Sequence, residues 1–209
     1  MKRREFIVGA GAVVVAYCGS AASGGTGRGR VAMPPGALSL SRFSRSCSAC
    51  GLCISSCPEK VLVHAGIFDY GLGGWMMPKL DFSRGSCDPS CKRCAEVCPA
   101  KALVRLDGQI VKIGVAKWLR EHCRAANGDA CTLCSERCPT DAISLVSDEE
   151  CQSAHPKVDA FKCVGCGRCE NYCPAESKAI RVHPFDQQET ISDTGGTVSG
   201  GQGSVGSSQ

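Results

Sequence analysis

The sequence has few aromatic residues and no long hydrophobic run. Only 5% of its 209 residues are Phe, Trp or Tyr, and 25 are Gly, so an ordinary large apolar core is not expected. No stretch reaches the roughly 20 apolar residues that a membrane-spanning helix needs. Something other than hydrophobic burial must therefore help to hold this fold together.

A strong excess of one charge is also missing, since 24 Lys and Arg face 20 Asp and Glu. Nucleic-acid binding depends on neutralising many phosphates, and without a basic block it is not predicted. No Ser/His/Asp constellation, phosphate-binding Gly loop or carboxylate pair is found, so we predict no catalytic activity of the chain's own. The four histidines are scattered, and we expect them at the surface or as caps: His64, His122, His155 and His183.

Cysteine dominates instead, with 18 residues, close to the roughly 8–10% typical of a metal-bound or disulfide scaffold. Sixteen of them form four groups that each end in Cys-Pro, and each group starts 36 to 40 residues after the one before it. The groups are Cys47, Cys50, Cys53 and Cys57; Cys87, Cys91, Cys94 and Cys98; Cys123, Cys131, Cys134 and Cys138; and Cys163, Cys166, Cys169 and Cys173.

A short apolar stretch follows each Cys-Pro, which indicates a structural repeat. We predict an α+β fold of tandem bacterial-ferredoxin-like units, in which small antiparallel strand pairs and short helices wrap around four clusters. The expected units span residues 38–67, 78–108, 114–150 and 154–186.

The first and fourth groups have the spacing Cys-x2-Cys-x2-Cys-x3-Cys-Pro, the bacterial ferredoxin run for a [4Fe–4S] cluster. A loop with this spacing must curl tightly, and Gly51, Gly165 and Gly167 suit it because Gly tolerates positive φ. The second and third groups keep the x2/x3 ending and differ only in a longer first interval, x3 or x7. We therefore predict four [4Fe–4S] clusters with all sixteen cysteines as ligands.

Cysteine has two other common uses, in zinc sites and in disulfides. Zinc also takes four thiolates, but four successive quartets that close in Cys-Pro favour iron–sulfur. Disulfides are the usual expectation for an exported chain rich in cysteine. However, the N-terminus resembles a twin-arginine signal, whose route carries folded proteins with cofactors already inserted in the reducing cytoplasm, so clusters are favoured over disulfides. Of the two remaining cysteines, Cys151 fits no quartet and is expected to be an incidental thiol, while Cys18 is expected to leave with an export signal.

In a ferredoxin run the last cysteine ligates the other cluster of a pair, which leaves two simple pairings. Sequential pairing joins group one with two and three with four. Nested pairing joins one with four and two with three, and we favour it because the two regular groups look like one ferredoxin with two irregular groups inserted. The nested ligand sets are Cys47, Cys50, Cys53 and Cys173; Cys87, Cys91, Cys94 and Cys138; Cys123, Cys131, Cys134 and Cys98; and Cys163, Cys166, Cys169 and Cys57.

The two ends of the chain differ from this body. Residues 1–22 begin with Lys2-Arg3-Arg4-Glu5-Phe6 and continue with a weakly apolar run and small residues, which resembles a twin-arginine export signal. Residues 23–34 are predicted to be a flexible lead-in. The Gly/Ser-rich segment 187–209 is predicted to be a disordered tail.

Several of these features together resemble the NapG/MauM ferredoxin-type family. The resemblance rests on Arg3-Arg4-Glu5-Phe6, on Pro34-Pro35-Gly36-Ala37-Leu38, on Ile113-Gly114-Val115-Ala116 and on Cys123-x7-Cys131-x2-Cys134. The second cysteine group departs from that family, whose first two intervals tend to be x2 and x4.

The resemblance implies a periplasmic electron carrier with four [4Fe–4S] clusters, exported by the twin-arginine translocase. Its partners would be a membrane quinol dehydrogenase of the NapH type and a c-type cytochrome or periplasmic molybdenum reductase, such as nitrate reductase. Contact with the membrane would come only through a partner. The alternatives are an electron-transfer (beta-type) subunit of a molybdopterin oxidoreductase, which would share nested pairing, and a maturation factor or zinc-bound structural protein.

Overall fold

The computed structural model describes residues 31–147 and 154–192, in which the secondary structure consists of short elements. One helix has seven residues, α1 (Leu40–Ser46), and four have a single turn each: α2 (Leu52–Ser55), α3 (Arg93–Glu96), α4 (Leu133–Glu136) and α5 (Arg168–Asn171). Three 3₁₀ turns span Leu72–Gly74, Arg120–His122 and Ala125–Asn127.

The strands form three separate antiparallel pairs. They are β1 (Leu62–His64) with β2 (Pro78–Leu80), β3 (Gln109–Trp118) with β6 (Ile180–Ser192), and β4 (Ile143–Val146) with β5 (His155–Val158). The prediction of short helices and small antiparallel strand pairs is thus confirmed.

Three of the four apolar stretches that follow a Cys-Pro form strands, namely β1, β4 and the start of β6. The stretch Ala102–Val104 forms none. Its residues Ala102 and Leu103 are buried, and the Val104 N–H donates to the carbonyl of Gly36 at 2.9 Å. This stretch is therefore hydrogen-bonded to the segment that precedes the first cysteine group.

The longest strand pair corrects the prediction of a disordered tail from residue 187. Strand β6 pairs with β3 from Ile180 opposite Trp118 to Ser192 opposite Gln109, with a register shift between Lys112 and Gly114. Residues 187–192 are strand because the β3 edge supplies hydrogen bonds that composition alone does not reveal. Residues 193–209 lie outside the described part of the chain.

The lead-in prediction is wrong for residues 32–34, because Ala32, Met33 and Pro34 are buried in the core. One side chain from β6 holds this segment. The Gln188 amide oxygen accepts from the N–H groups of Gly36 (3.0 Å) and Leu38 (3.2 Å), and its amide nitrogen donates to the carbonyls of Met33 (3.2 Å) and Pro34 (2.9 Å). The two ends of the described chain are thus fastened together.

The buried hydrophobic residues form three clusters, each of which contains cysteines. The largest surrounds the fully buried Phe43, whose ring meets Tyr70 edge-on at 6.4 Å. Apolar side chains and cysteines therefore share the interior, in line with the small aromatic content.

The export-signal prediction, residues 23–30 of the lead-in, Cys18 and Cys151 all lie outside the described residues. Within residues 31–147 and 154–192, no helix has the length and apolar character needed to cross a membrane.

We predict that Gln188→Ala destabilises the protein by about 1–3 kcal/mol, because it leaves partly buried backbone groups of residues 33–38 without their partners. Anaerobic urea unfolding measures the change. The control is Gln187→Ala, whose side chain is exposed. Equal stability of the two variants would show that the Gln188 bonds do not fasten the chain ends.

Candidate iron–sulfur sites

The sixteen described cysteines are all free thiols, and the structure gathers them into four quartets. Each quartet takes three cysteines from one motif and the Cys-Pro cysteine from another. Quartet A is Cys47, Cys50, Cys53 and Cys98; quartet B is Cys87, Cys91, Cys94 and Cys57; quartet C is Cys123, Cys131, Cys134 and Cys173; quartet D is Cys163, Cys166, Cys169 and Cys138.

Quartets A, B and C each line a cavity. The walls between the cysteines are mainly apolar, with Phe43 and Leu103 beside quartet A and Leu62 and Leu80 beside quartet B. In quartet D, Cys138 packs against the same core cluster as Cys163 and Cys169.

The nested pairing favoured from the sequence is wrong, and the quartets follow the sequential alternative. The first half of the protein contains the first and second motifs, and the second half contains the third and fourth. In the first half, β1 after Cys57 pairs with β2 before Cys87, and the Val104 N–H after Cys98 donates to the Gly36 carbonyl before Cys47. The Arg42 guanidinium strengthens that second link through 2.8 Å bonds to the carbonyls of Lys101 and Ala102. These links place each Cys-Pro cysteine beside the neighbouring motif.

The second half repeats this plan. Strand β4 after Cys138 pairs with β5 before Cys163. Strand β6 after Cys173 pairs with the end of β3 before Cys123, and the Leu119 N–H donates to the Ala179 carbonyl at 2.7 Å. The one-turn helices α2 and α3 pack together, as do α4 and α5. The exchange of the last cysteine therefore stays within each half.

Each one-turn helix begins one residue before the third cysteine of its motif. In the two regular motifs the preceding residue is Gly51 or Gly167, at φ 75° and 76°, the left-handed region that Gly enters without steric cost. In the two irregular motifs Lys92 and Thr132 stand there at φ −120° and −121°. The longer first interval reaches the same helix without a left-handed residue.

Backbone N–H groups point at several of the sulfurs. Ala49 donates to Cys47 Sγ at 3.4 Å, and Ala116 donates to the buried Cys163 Sγ at 3.4 Å. Two Cys-Pro cysteines also accept such bonds, Cys138 from Ala142 (3.3 Å) and Cys173 from Ala179 (3.4 Å). Donors of this kind stabilise negative charge on a thiolate and tune the potential of a bound cluster.

The thiols lie where an isolated negative charge is unfavourable. Burial, and then the neighbouring cysteines, raise the pKa of Cys53 to about 11 and that of Cys94 to about 12. The pKa of Cys134 is raised to about 11 for the same reasons, and those of Cys87 and Cys169 are raised too. At neutral pH these thiols hold their protons unless a cation compensates, so iron must displace protons as it binds, and its binding strengthens as the pH rises toward these values.

Trp118 supplies a further feature of quartet C. Its side chain lines the cavity together with Cys123 and Cys131, and its indole N–H is buried with no hydrogen-bond partner among the described residues. Buried polar groups in native proteins are nearly always paired, so this donor is suited to an acceptor within the cavity. A cluster sulfur is such an acceptor, and the residues around quartet C therefore fit an iron–sulfur cluster.

The histidines take no part in the quartets. His64, His122 and His183 are exposed, as expected. His155 corrects that expectation, because it is buried and stacks on the Trp118 ring with centroids 4.7 Å apart. Throughout residues 31–147 and 154–192, no three His, Cys, Asp or Glu side chains converge closely enough to hold a single metal ion.

Comparisons with known proteins agree with this geometry. A family model described as a 4Fe-4S dicluster domain matches residues 127–177. A methylamine utilization ferredoxin-type protein MauM from Methylophilus methylotrophus is 36% identical over 166 residues, which cover 74% of this chain and 71% of the relative. The MauM protein of Paracoccus denitrificans is 37% identical over 75% of this chain and 73% of its own length.

The ferredoxin-type protein NapG of Escherichia coli K12 is 31% identical over 163 residues, 73% of this chain and 70% of the relative. The chain belongs to the MauM/NapG ferredoxin-type family. The predicted family is thereby confirmed, and the dicluster match adds a point about pairing. It covers three cysteines of the third motif and all four of the fourth, as expected if these two motifs exchange ligands.

Sequential pairing in this MauM/NapG member predicts which two cysteine substitutions remove the same cluster and which remove two different clusters. Cys57→Ala and Cys91→Ala each remove a ligand of quartet B, so the double variant should lose the same one cluster, about four irons, as either single variant. Iron analysis after anaerobic purification measures the loss. The matched pair is Cys57→Ala with Cys169→Ala, which should lose two clusters, whereas nested pairing reverses the two outcomes.

We also predict that Trp118→Phe lowers the reduction potential of the quartet C cluster, because the substitution keeps the ring and removes the indole N–H. A redox titration followed by EPR measures the shift. Trp75→Phe is the control, since Trp75 is 61% exposed. Identical potentials in both variants would mean that the Trp118 N–H does not reach a cluster sulfur.

Proposed function

We propose that this ferredoxin-type protein is an electron carrier that holds four [4Fe–4S] clusters, one in each of quartets A to D. The observation that supports the proposal most strongly is the arrangement of the sixteen free thiols in four sets of four, each drawn from two motifs. The match to a dicluster domain supports clusters in the second half, and the first half repeats its plan.

Each cluster, when bound, accepts and returns one electron at a time. The protein's own residues anchor the irons through thiolates, donate N–H groups to sulfur and surround the sites with apolar side chains that limit water. Cys50 of quartet A is the exposed member among the sixteen cysteines, so this site reaches the protein surface. The chain is proposed to act without catalysing a reaction of its own.

We propose a periplasmic location and partners from the family resemblance. The Arg3-Arg4-Glu5-Phe6 start supports export by the twin-arginine translocase, which accepts folded proteins with their cofactors in place. The donor would be a membrane quinol dehydrogenase of the NapH type. The acceptor would be a c-type cytochrome or a periplasmic molybdenum reductase such as nitrate reductase.

A beta-type subunit of a molybdopterin oxidoreductase, the alternative function, is expected to have nested pairing. The quartets follow sequential pairing, so this support for the alternative is lost.

The test is anaerobic purification with iron, sulfide and zinc analysis and EPR after reduction. We expect about 16 irons and matching sulfide per chain, four for each quartet, and signals of reduced [4Fe–4S] clusters. Mainly zinc, or iron sufficient for only two clusters, would contradict the proposal.

A further inference from the structure

Two cysteines from different halves of the protein are joined by a direct hydrogen bond. The Cys87 N–H donates to the Cys166 carbonyl at 2.8 Å. Both residues are buried, with 9% of their surface exposed. Cys87 belongs to quartet B in the first half and Cys166 to quartet D in the second, so B and D are neighbours across the boundary between the halves.

Further contacts hold the two halves together at the same place, which we call the B–D junction (residues 82–87 and 165–171). The Asn171 side-chain amide donates to the Phe82 carbonyl at 2.9 Å, and Arg168 Nε lies 3.5 Å from Ser86 Oγ. Phe82 and Ser86 are themselves buried.

The packing at the B–D junction leaves no room for an added side chain. A Cβ on Gly167 would lie 1.9 Å from Cδ1 of Phe82, so the loop of the fourth motif approaches the first half as closely as its backbone allows. The two halves are therefore closely packed against each other at the B–D junction.

Quartets A and C contribute no cysteine to the B–D junction. Quartet A is lined by Phe43 and the turn after Cys98, and it includes the exposed Cys50. Quartet C is lined by Trp118, Pro156 and Ala179, and its cysteines belong to the two core clusters of the second half. Quartet A shares a core cluster with B, and C shares one with D through Cys134, Cys138 and Cys173.

We propose that the four sites form a single line in the order A, B, D, C, and that electrons cross between the halves at the Cys87–Cys166 bond. This rests on the proposed function. Because electron tunnelling weakens steeply with distance, a direct hydrogen bond between two ligand residues offers a short passage between the pairs. Quartets B and C, which are consecutive in the sequence, are then not neighbours in the path.

Two double variants test the order, and both keep cluster B. Cys50→Ala with Cys131→Ala removes clusters A and C and leaves B and D. Cys50→Ala with Cys138→Ala removes A and D and leaves B and C. After full reduction, we expect the EPR spectrum of the B/D variant to be split and broadened by spin–spin interaction, and that of the B/C variant to be the sum of two independent signals.

The reverse result, with B and C coupled and B and D independent, would overturn the order. Iron analysis of the same samples keeps the two proposals separate. Two clusters per variant support the proposed function whatever the coupling, while variants that carry zinc instead would contradict that function.

If the double variants do not retain two clusters, Asn171→Ala tests the order in the four-cluster protein. The substitution removes the bond to the Phe82 carbonyl and leaves the glycines of the cluster-binding loops in place, so we expect the spin–spin splitting to shrink while the iron content stays complete. The control is Gln187→Ala, whose side-chain amide is exposed. An unchanged splitting in Asn171→Ala would overturn the proposal.

Discussion

Everything in this structure depends on the burial of sixteen thiols in groups of four. Thiolates that crowd into apolar cavities repel one another and lose their hydration, which is why burial raises the pKa of Cys53 and Cys94 far above the ordinary value of a thiol. Iron resolves this conflict, because it replaces the protons and compensates the charge. The cost of gathering the cysteines is therefore offset by cluster binding, in a chain that has too few aromatic residues to build a large core.

The rest of the fold builds this arrangement twice, once in each half. In each half, the chain after the first Cys-Pro pairs with the segment before the second motif, and the chain after the second Cys-Pro returns to the segment before the first motif. Each half can thus exchange its last cysteines internally. The long β3–β6 pair belongs to the second half, and Gln188 on β6 reaches back to the start of the first half, so this strand also braces the halves against each other.

The cysteine spacing was sufficient to predict that the first three cysteines of each motif lie together, the one-turn helices and the left-handed Gly51 and Gly167, because these depend on local geometry. The pairing could not be predicted in this way. Whether Cys57 meets the second or the fourth motif depends on Arg42, Val104 and the β1–β2 pair, which are long-range contacts. Composition also misled at residues 187–192, whose polar side chains suggested a tail although their backbone completes a strand opposite β3. Trp118 belongs to no sequence motif, and only its position in the wall of the quartet C cavity links it to the site.

The claim that clusters, more than apolar burial, organise this chain is tested most directly by removing them. Strictly anaerobic chelation of the iron, followed by small-angle X-ray scattering, compares the radius of gyration before and after. We predict expansion from about 17 Å, the value of a compact chain of this length, toward about 50 Å, the value of an unfolded one. A colourless, iron-free protein that keeps the compact radius would contradict the account.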